Sequence, residues 1–153
     1  MGNIILLFNS MSLLFVSAQP DVPYFHWQCE VYLHNFIKLG IPAENIHVLF
    51  SLAQPNAKPS EGALALTSYT KNIHFYEDTR DKKHYIPSIK PFLITKWLKQ
   101  FPEYGEKFFL HDSDIIFREL PDFDKLLKDE ISYKEELFRN LVNNSISYSF
   151  FIK

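Results

Sequence analysis

Short apolar runs alternate with longer amphipathic ones along this chain of 153 residues. Leu13-Leu14-Phe15-Val16 is a compact apolar run closed by a polar turn at Pro20, the pattern of a buried strand. From about Val22 to Leu39, Phe25, Cys29, Leu33 and Phe36 recur at helical spacing and form one apolar stripe. Pro23 suits the first turn of that helix, and Gly40 suits the position just past its end. Ile46 to Phe50 reads as a second strand. Residues 54–62 contain Pro55, Pro59 and Gly62 and read as a loop. Ile73 to Tyr76 is a third strand, running into Glu77-Asp78-Thr79-Arg80, and polar residues 81–85 read as a loop over a site. A second helix is predicted from near Ser88, with Pro91 tolerated in its first turn. Its stripe is Ile94, Trp97, Leu98 and Phe101, and Pro102 ends it. Lys107 to Leu110 is a fourth strand, and Ile115-Ile116-Phe117 resumes extended structure after a polar break.

Strands alternating with helices predict an α/β fold of three layers, with a mainly parallel sheet covered on both faces. Right-handed crossovers place the carboxyl ends of the strands along one edge, where ligands of open α/β sheets bind. One domain is expected over residues 13–129, after an unplaced segment 1–12 and before a short tail 130–153. Lys125 to Leu141 has the charge pattern of an amphipathic helix. Ile146 to Ile152 is either a strand or an exposed apolar end.

Composition narrows the function. The hydrophobic share of 46% supports a packed core, and 15 Phe and 8 Tyr argue against disorder. A formal net charge of -2 leaves no basic excess for a polyphosphate backbone, so nucleic acid is not expected as the main partner. The single cysteine, Cys29, excludes an internal disulfide framework. On the apolar stripe it reads as core in preference to a catalytic thiol. Val16-Ser17-Ala18 has the small-residue character of a signal-peptidase site, yet no Lys or Arg precedes the apolar run. A strand is the preferred reading there, with no membrane span and a cytoplasmic setting by default. Asn143-Asn144-Ser145 fits a glycosylation sequon, which matters only in a secretory context.

The chemistry concentrates in Phe108-Phe109-Leu110-His111-Asp112-Ser113-Asp114-Ile115-Ile116-Phe117. Two carboxylates interrupt an apolar run, and each would be costly to bury alone. At a strand's end, alternate side chains share a face, so both can approach one hard cation. Mg²⁺ or Mn²⁺ suits such oxygen ligands and commonly binds substrate phosphates as well. An isolated Asp-x-Asp arises often by chance and is better explained by a solvated turn; the preceding βα units give this one its weight. His111 is expected to point opposite to Asp112 as a structural histidine. His26 and His34 do not make a zinc spacing. Trp27 and Trp97, both on predicted helices, read as core. Asp122 and Asp124 read as a turn and a helix cap after Leu120-Pro121.

This segment, followed by Leu120-Pro121, resembles the Asp-x-Asp region of GT-A-type glycosyltransferases, nearest to a poorly characterised bacterial or phage group. The resemblance extends over Ala18-Gln19-Pro20-Asp21, the Trp27-Gln28 helix and Tyr85-Ile86-Pro87-Ser88-Ile89-Lys90-Pro91, roughly from Leu13 to Asp129. It implies a nucleotide-diphospho-sugar transferase fold in which Asp114 is the principal ligand of Mn²⁺ or Mg²⁺. Asp112 would contact the ribose, or the metal through water, with Ser113 beside it. Ala18, Gln19 and Asp21 would border the nucleoside, and Glu77 and Asp78 the base or ribose. Arg80 and Lys90 are candidates for the phosphate charge, with a solvated surface cation as the alternative for both; Lys90 lies near a helix N-terminus, where anions are favoured.

The resemblance also implies a second half that binds the acceptor and often adds a third metal ligand. Residues 132–153 do not visibly supply it, so the implied fold is incomplete and no general base is evident. The leading expectation is a metal-dependent transfer of sugar from a nucleotide-diphosphate sugar to an unknown acceptor. A non-catalytic nucleotide-sugar-binding or assembly module is the alternative, and a metal-dependent phosphohydrolase the third. The far edge of the sheet would be open, which invites a homodimer or a partner to cover it.

Overall fold

The computed structural model describes residues 13–106, 108–123 and 150–152. Its elements run β1 (Leu14–Pro20), α1 (Pro23–Lys38), β2 (Ile46–Leu52), α2 (Glu61–Ala65), β3 (Ile73–Glu77), α3 (Ile89–Gln100), β4 (Phe108–His111) and β5 (Phe150–Ile152). The sheet order is β3-β2-β1-β4-β5; the first four strands are parallel and β5 is antiparallel to β4.

Side-chain alternation divides the core. Phe15, Val48, Phe50 and Phe109 pack with Cys29, Tyr32, Leu33 and Phe36 of α1. Val16, Ala18, Leu49, Phe108 and Leu110 pack on the other face with Ile89, Leu93, Ile94 and Trp97 of α3. The molecule is therefore the expected three-layer α/β arrangement. Cys29 is fully buried, as read from the stripe, and burial pushes its thiol far above the usual range.

Helix α1 ends by local chemistry. Gly40 has φ +98°, its N–H donates to Ile37 O, and Ile41 N–H donates to Phe36 O, each at 3.0 Å. Phe36 and Ile41 are both buried in the same cluster, which completes the motif that stops a helix at a left-handed glycine.

Four expectations change. Residues 61–65, expected within or beside a loop, form the short helix α2, because Ser60 caps it by accepting from Ala63 N–H at 3.2 Å. Ile115-Ile116-Phe117 does not form a strand. The Asn35 side chain takes the role of a strand partner there: its Nδ2 donates to Phe117 O at 3.0 Å and its Oδ1 accepts from Phe117 N–H at 2.9 Å. Trp27 is not core but 55% exposed, whereas Trp97 is fully buried. The outer edge of β4, expected to be open, carries β5 from this same chain.

Residues 1–12, the predicted helix over 125–141, Asp124 and the Asn143-Asn144-Ser145 sequon lie outside the described residues. Among the described residues no helix is long and apolar enough to cross a membrane.

Candidate functional site

Strand β1 lies between β2 and β4. The chain leaves β1 toward β2 through α1 on one face and reaches β4 from α3 on the other. The order therefore reverses between β1 and β4, and the carboxyl ends of strands at such a switch point are the place where open α/β sheets bind ligands. Ala18, Gln19 and Asp21 stand at the end of β1, and His111-Asp112-Ser113-Asp114 at the end of β4.

Alternation continues past the end of β4 and sets the site. His111 points to the α1 side, as expected: the ring of Phe36 is 5.1 Å and the edge-on ring of Tyr32 4.9 Å away. Its Nδ1–H donates to Asp112 O at 2.8 Å, which leaves the buried Nε2 without a hydrogen-bond partner. Burial, and secondarily the charge of Lys90, lower its pKa to about 3, so the ring is neutral. Ser113 also turns to the α1 side and donates to Gln28 Oε1 at 2.6 Å, although 85 residues separate them. That bond holds the middle of the motif to α1.

Asp112 faces the α3 side. There Lys90, in the first turn of α3, forms an ion pair with its carboxylate. Burial pulls the Lys90 ammonium below the usual lysine range, and the negative charge of Asp114 opposes that shift. Both carboxylates thus act on one cationic position. Asp114 itself is exposed in a turn, so the strand-like alternation of the two carboxylates stops at Ser113.

Ala18 is buried against α3. Gln19 is buried too; its Nε2 donates to Leu49 O at 3.1 Å and its Oε1 has no partner. Asp21 does not face open solvent. It accepts from Ser60 N–H at 2.9 Å, from the Ser60 hydroxyl, and from His26 Nε2–H at 2.7 Å, tying β1 to α1 and α2.

The end of β3 divides. Glu77 is exposed, but Asp78 is buried and holds Arg80 in a two-point bond: Arg80 Nε donates to Oδ1 and Nη2 to Oδ2, both at 2.8 Å. Arg80 Nη1 donates to Tyr85 O at 2.7 Å and to the Ser88 hydroxyl, and Nη2 to Lys83 O at 3.3 Å. All five guanidinium donors are used within the protein. The guanidinium holds the Asp78 carboxyl below the usual range. Arg80 is therefore the post that shapes loop 81–88, and the phosphate role expected of it finds no spare donor.

Sequence reasoning missed Gln28, Asn35, His26 and Ser60 as builders of this edge. The partners of Gln28, Asn35 and Ser60 lie far away in the chain, so no local pattern marks them; His26 lies five residues from Asp21, but the pairing depends on the turn between β1 and α1.

Asp112 and Asp114 are hard oxygen donors of the kind Mn²⁺ or Mg²⁺ takes, and Lys90 pairs with the first of them. Among the described residues no group of three or more His, Cys, Asp or Glu gathers there. Phosphate oxygens and water would complete such an ion's shell. No protein-family signature matches the chain, and no curated protein matches it.

Proposed function

We propose that this protein binds a nucleotide-diphosphate sugar at the carboxyl ends of β1 and β4 through a divalent cation, and transfers the sugar to an acceptor in the manner of GT-A-type glycosyltransferases. One observation carries the reading: at the topological switch point Asp112 pairs with Lys90, and the charge of Asp114 acts on the same ammonium. Asp112 and Asp114 are the residues that would hold Mn²⁺ or Mg²⁺. Such an ion supplies neutralisation of the charge that grows on the departing diphosphate.

The chain's own residues do the rest. Lys90 places a second positive charge at the phosphates, close to the N-terminus of α3. The Ser113–Gln28 bond fixes the middle of the Asp-x-Asp motif, and the Asn35 clamp on Phe117 fixes the chain that follows it. Gln19, with its unpartnered Oε1, and Glu77 border the nucleoside.

A non-catalytic nucleotide-sugar-binding module is the second reading. The direct pairing of Lys90 with Asp112 favours it, because a metal ligand is already neutralised.

Calorimetric titration with UDP- and GDP-sugars in the presence of Mn²⁺ tests the donor site. The natural chain is expected to bind at least one donor, and Asp114→Ala to weaken it about tenfold or more. A folded natural chain that binds no donor would overturn the reading. Sugar release or transfer by the donor-bound chain separates the enzyme from the module.

A further inference from the structure

A groove of about 410 Å³ lies between α1 and the segment from α2 to Tyr69. None of Asp112, Asp114 and Lys90 lines it. Its volume falls in the range of small-ligand sites. Trp27 forms one wall, its indole open to solvent and braced edge-on by Tyr24 at 6.2 Å.

Glu30 carries the charge of the groove. Glu30 accepts from Tyr69 O–H at 3.2 Å, which leaves its second carboxylate oxygen free to accept again. His26 Nε2 pairs with Asp21 Oδ1 at 2.7 Å, and its Nδ1 lies against Gly62, where an added Cβ would come within 2.4 Å, so the imidazole is held within the protein. No lysine or arginine lines the groove.

A ligand matched to this surface must bring hydroxyl donors, an apolar face for the indole, and no negative charge. Glu30 would repel a phosphate or carboxylate. We propose that the groove between α1 and α2 binds a neutral saccharide, with a sugar ring lying on Trp27 and its hydroxyl groups donating to Glu30. The proposal rests on residues separate from Asp112 and Asp114 and stands or falls apart from the donor reading.

The test is calorimetric titration with maltose, cellobiose, lactose and chitobiose, run in parallel with tryptophan emission. Trp27 and Glu30 are exposed, so Trp27→Ala and Glu30→Gln leave the core intact, and circular dichroism checks that they do. At least one disaccharide is expected to bind and to shift the emission. Each variant should weaken that binding about tenfold, as loss of an aromatic or polar anchor does. Asp114→Ala should leave it unchanged. The proposal is overturned if the folded natural chain binds none of the four. It is also overturned if binding is lost in Asp114→Ala but kept in Trp27→Ala, which would place the sugar at the Asp-x-Asp motif. Preferential binding of tetramethylammonium at Trp27 would overturn it as well and assign the groove to a cation.

Discussion

Arg80 shows how a single side chain changes role once its neighbours are known. The dipeptide spacing from Asp78 to Arg80 is visible in the sequence, and a solvated or phosphate-binding cation is a fair expectation there. Folding brings Lys83 O, Tyr85 O and Ser88 around the same guanidinium and fills every donor. Lysine keeps the charge but lacks the planar fork. Arg80→Lys is therefore expected to cost about 2 kcal/mol, through the bonds it fails to remake around buried Asp78. Urea unfolding measures this, and unchanged stability would mean that loop 81–88 is held by other contacts. Lys90 moves the opposite way: expected as a phosphate contact or a solvated cation near a helix start, it pairs with Asp112 and feels the charge of Asp114.

At the scale of elements, success follows how local the signal is. The stop of α1 is written in a few consecutive residues, and the structure places Gly40 where the sequence expects it. A Cβ at Gly40 would meet nothing within 4 Å, so the cost of Gly40→Ala is conformational alone. It is expected to be about 1 kcal/mol, read as a lower thermal midpoint with no change in the fold. Helix α2 was not legible because only five residues form it, and its cap, Ser60, is held in place by Asp21 from the end of β1. The run Ile115-Ile116-Phe117 has strand composition, yet Asn35 provides its backbone partner and no ladder forms.

The whole molecule adds a pH response that belongs to no single element. His47 on β2 and His74 on β3 stack at 5.3 Å, with His47 Nδ1 and His74 Nε2 3.1 Å apart. Burial lowers both to about 4, and for His47 the charge of His74 adds to it. Burial lowers His111 to about 3. In the unfolded chain these rings titrate near 6.5, so below that pH the unfolded state binds more protons than the folded one. Stability is thus complete above about pH 6.5 and falls as pH drops toward 4, by a few kcal/mol in total on the order-of-magnitude scale of such shifts. Denaturation midpoints measured from pH 7 to 4 check this. His74→Gln, which removes one titrating ring, should flatten the slope, and an unchanged slope would assign it to other groups.

Hydrophobic period, turn residues and helix stops determined the strand and helix order and the parallel three-layer plan. These depend on near neighbours and on which faces must leave water, and both are written along the chain. Chain order alone also set the Asp-x-Asp at the end of β4. Tertiary structure decided what stands around it. Gln28 anchors Ser113, Asn35 anchors Phe117, Ser60 binds Asp21, and Lys90 reaches Asp112, each across a wide gap in sequence. It also decided that Trp97 is core while Trp27 faces a groove, since both sit on amphipathic helices and only packing against the sheet separates them. Pairings between distant residues arise from the closing of the sheet and its covering helices, so a reading of local pattern does not contain them.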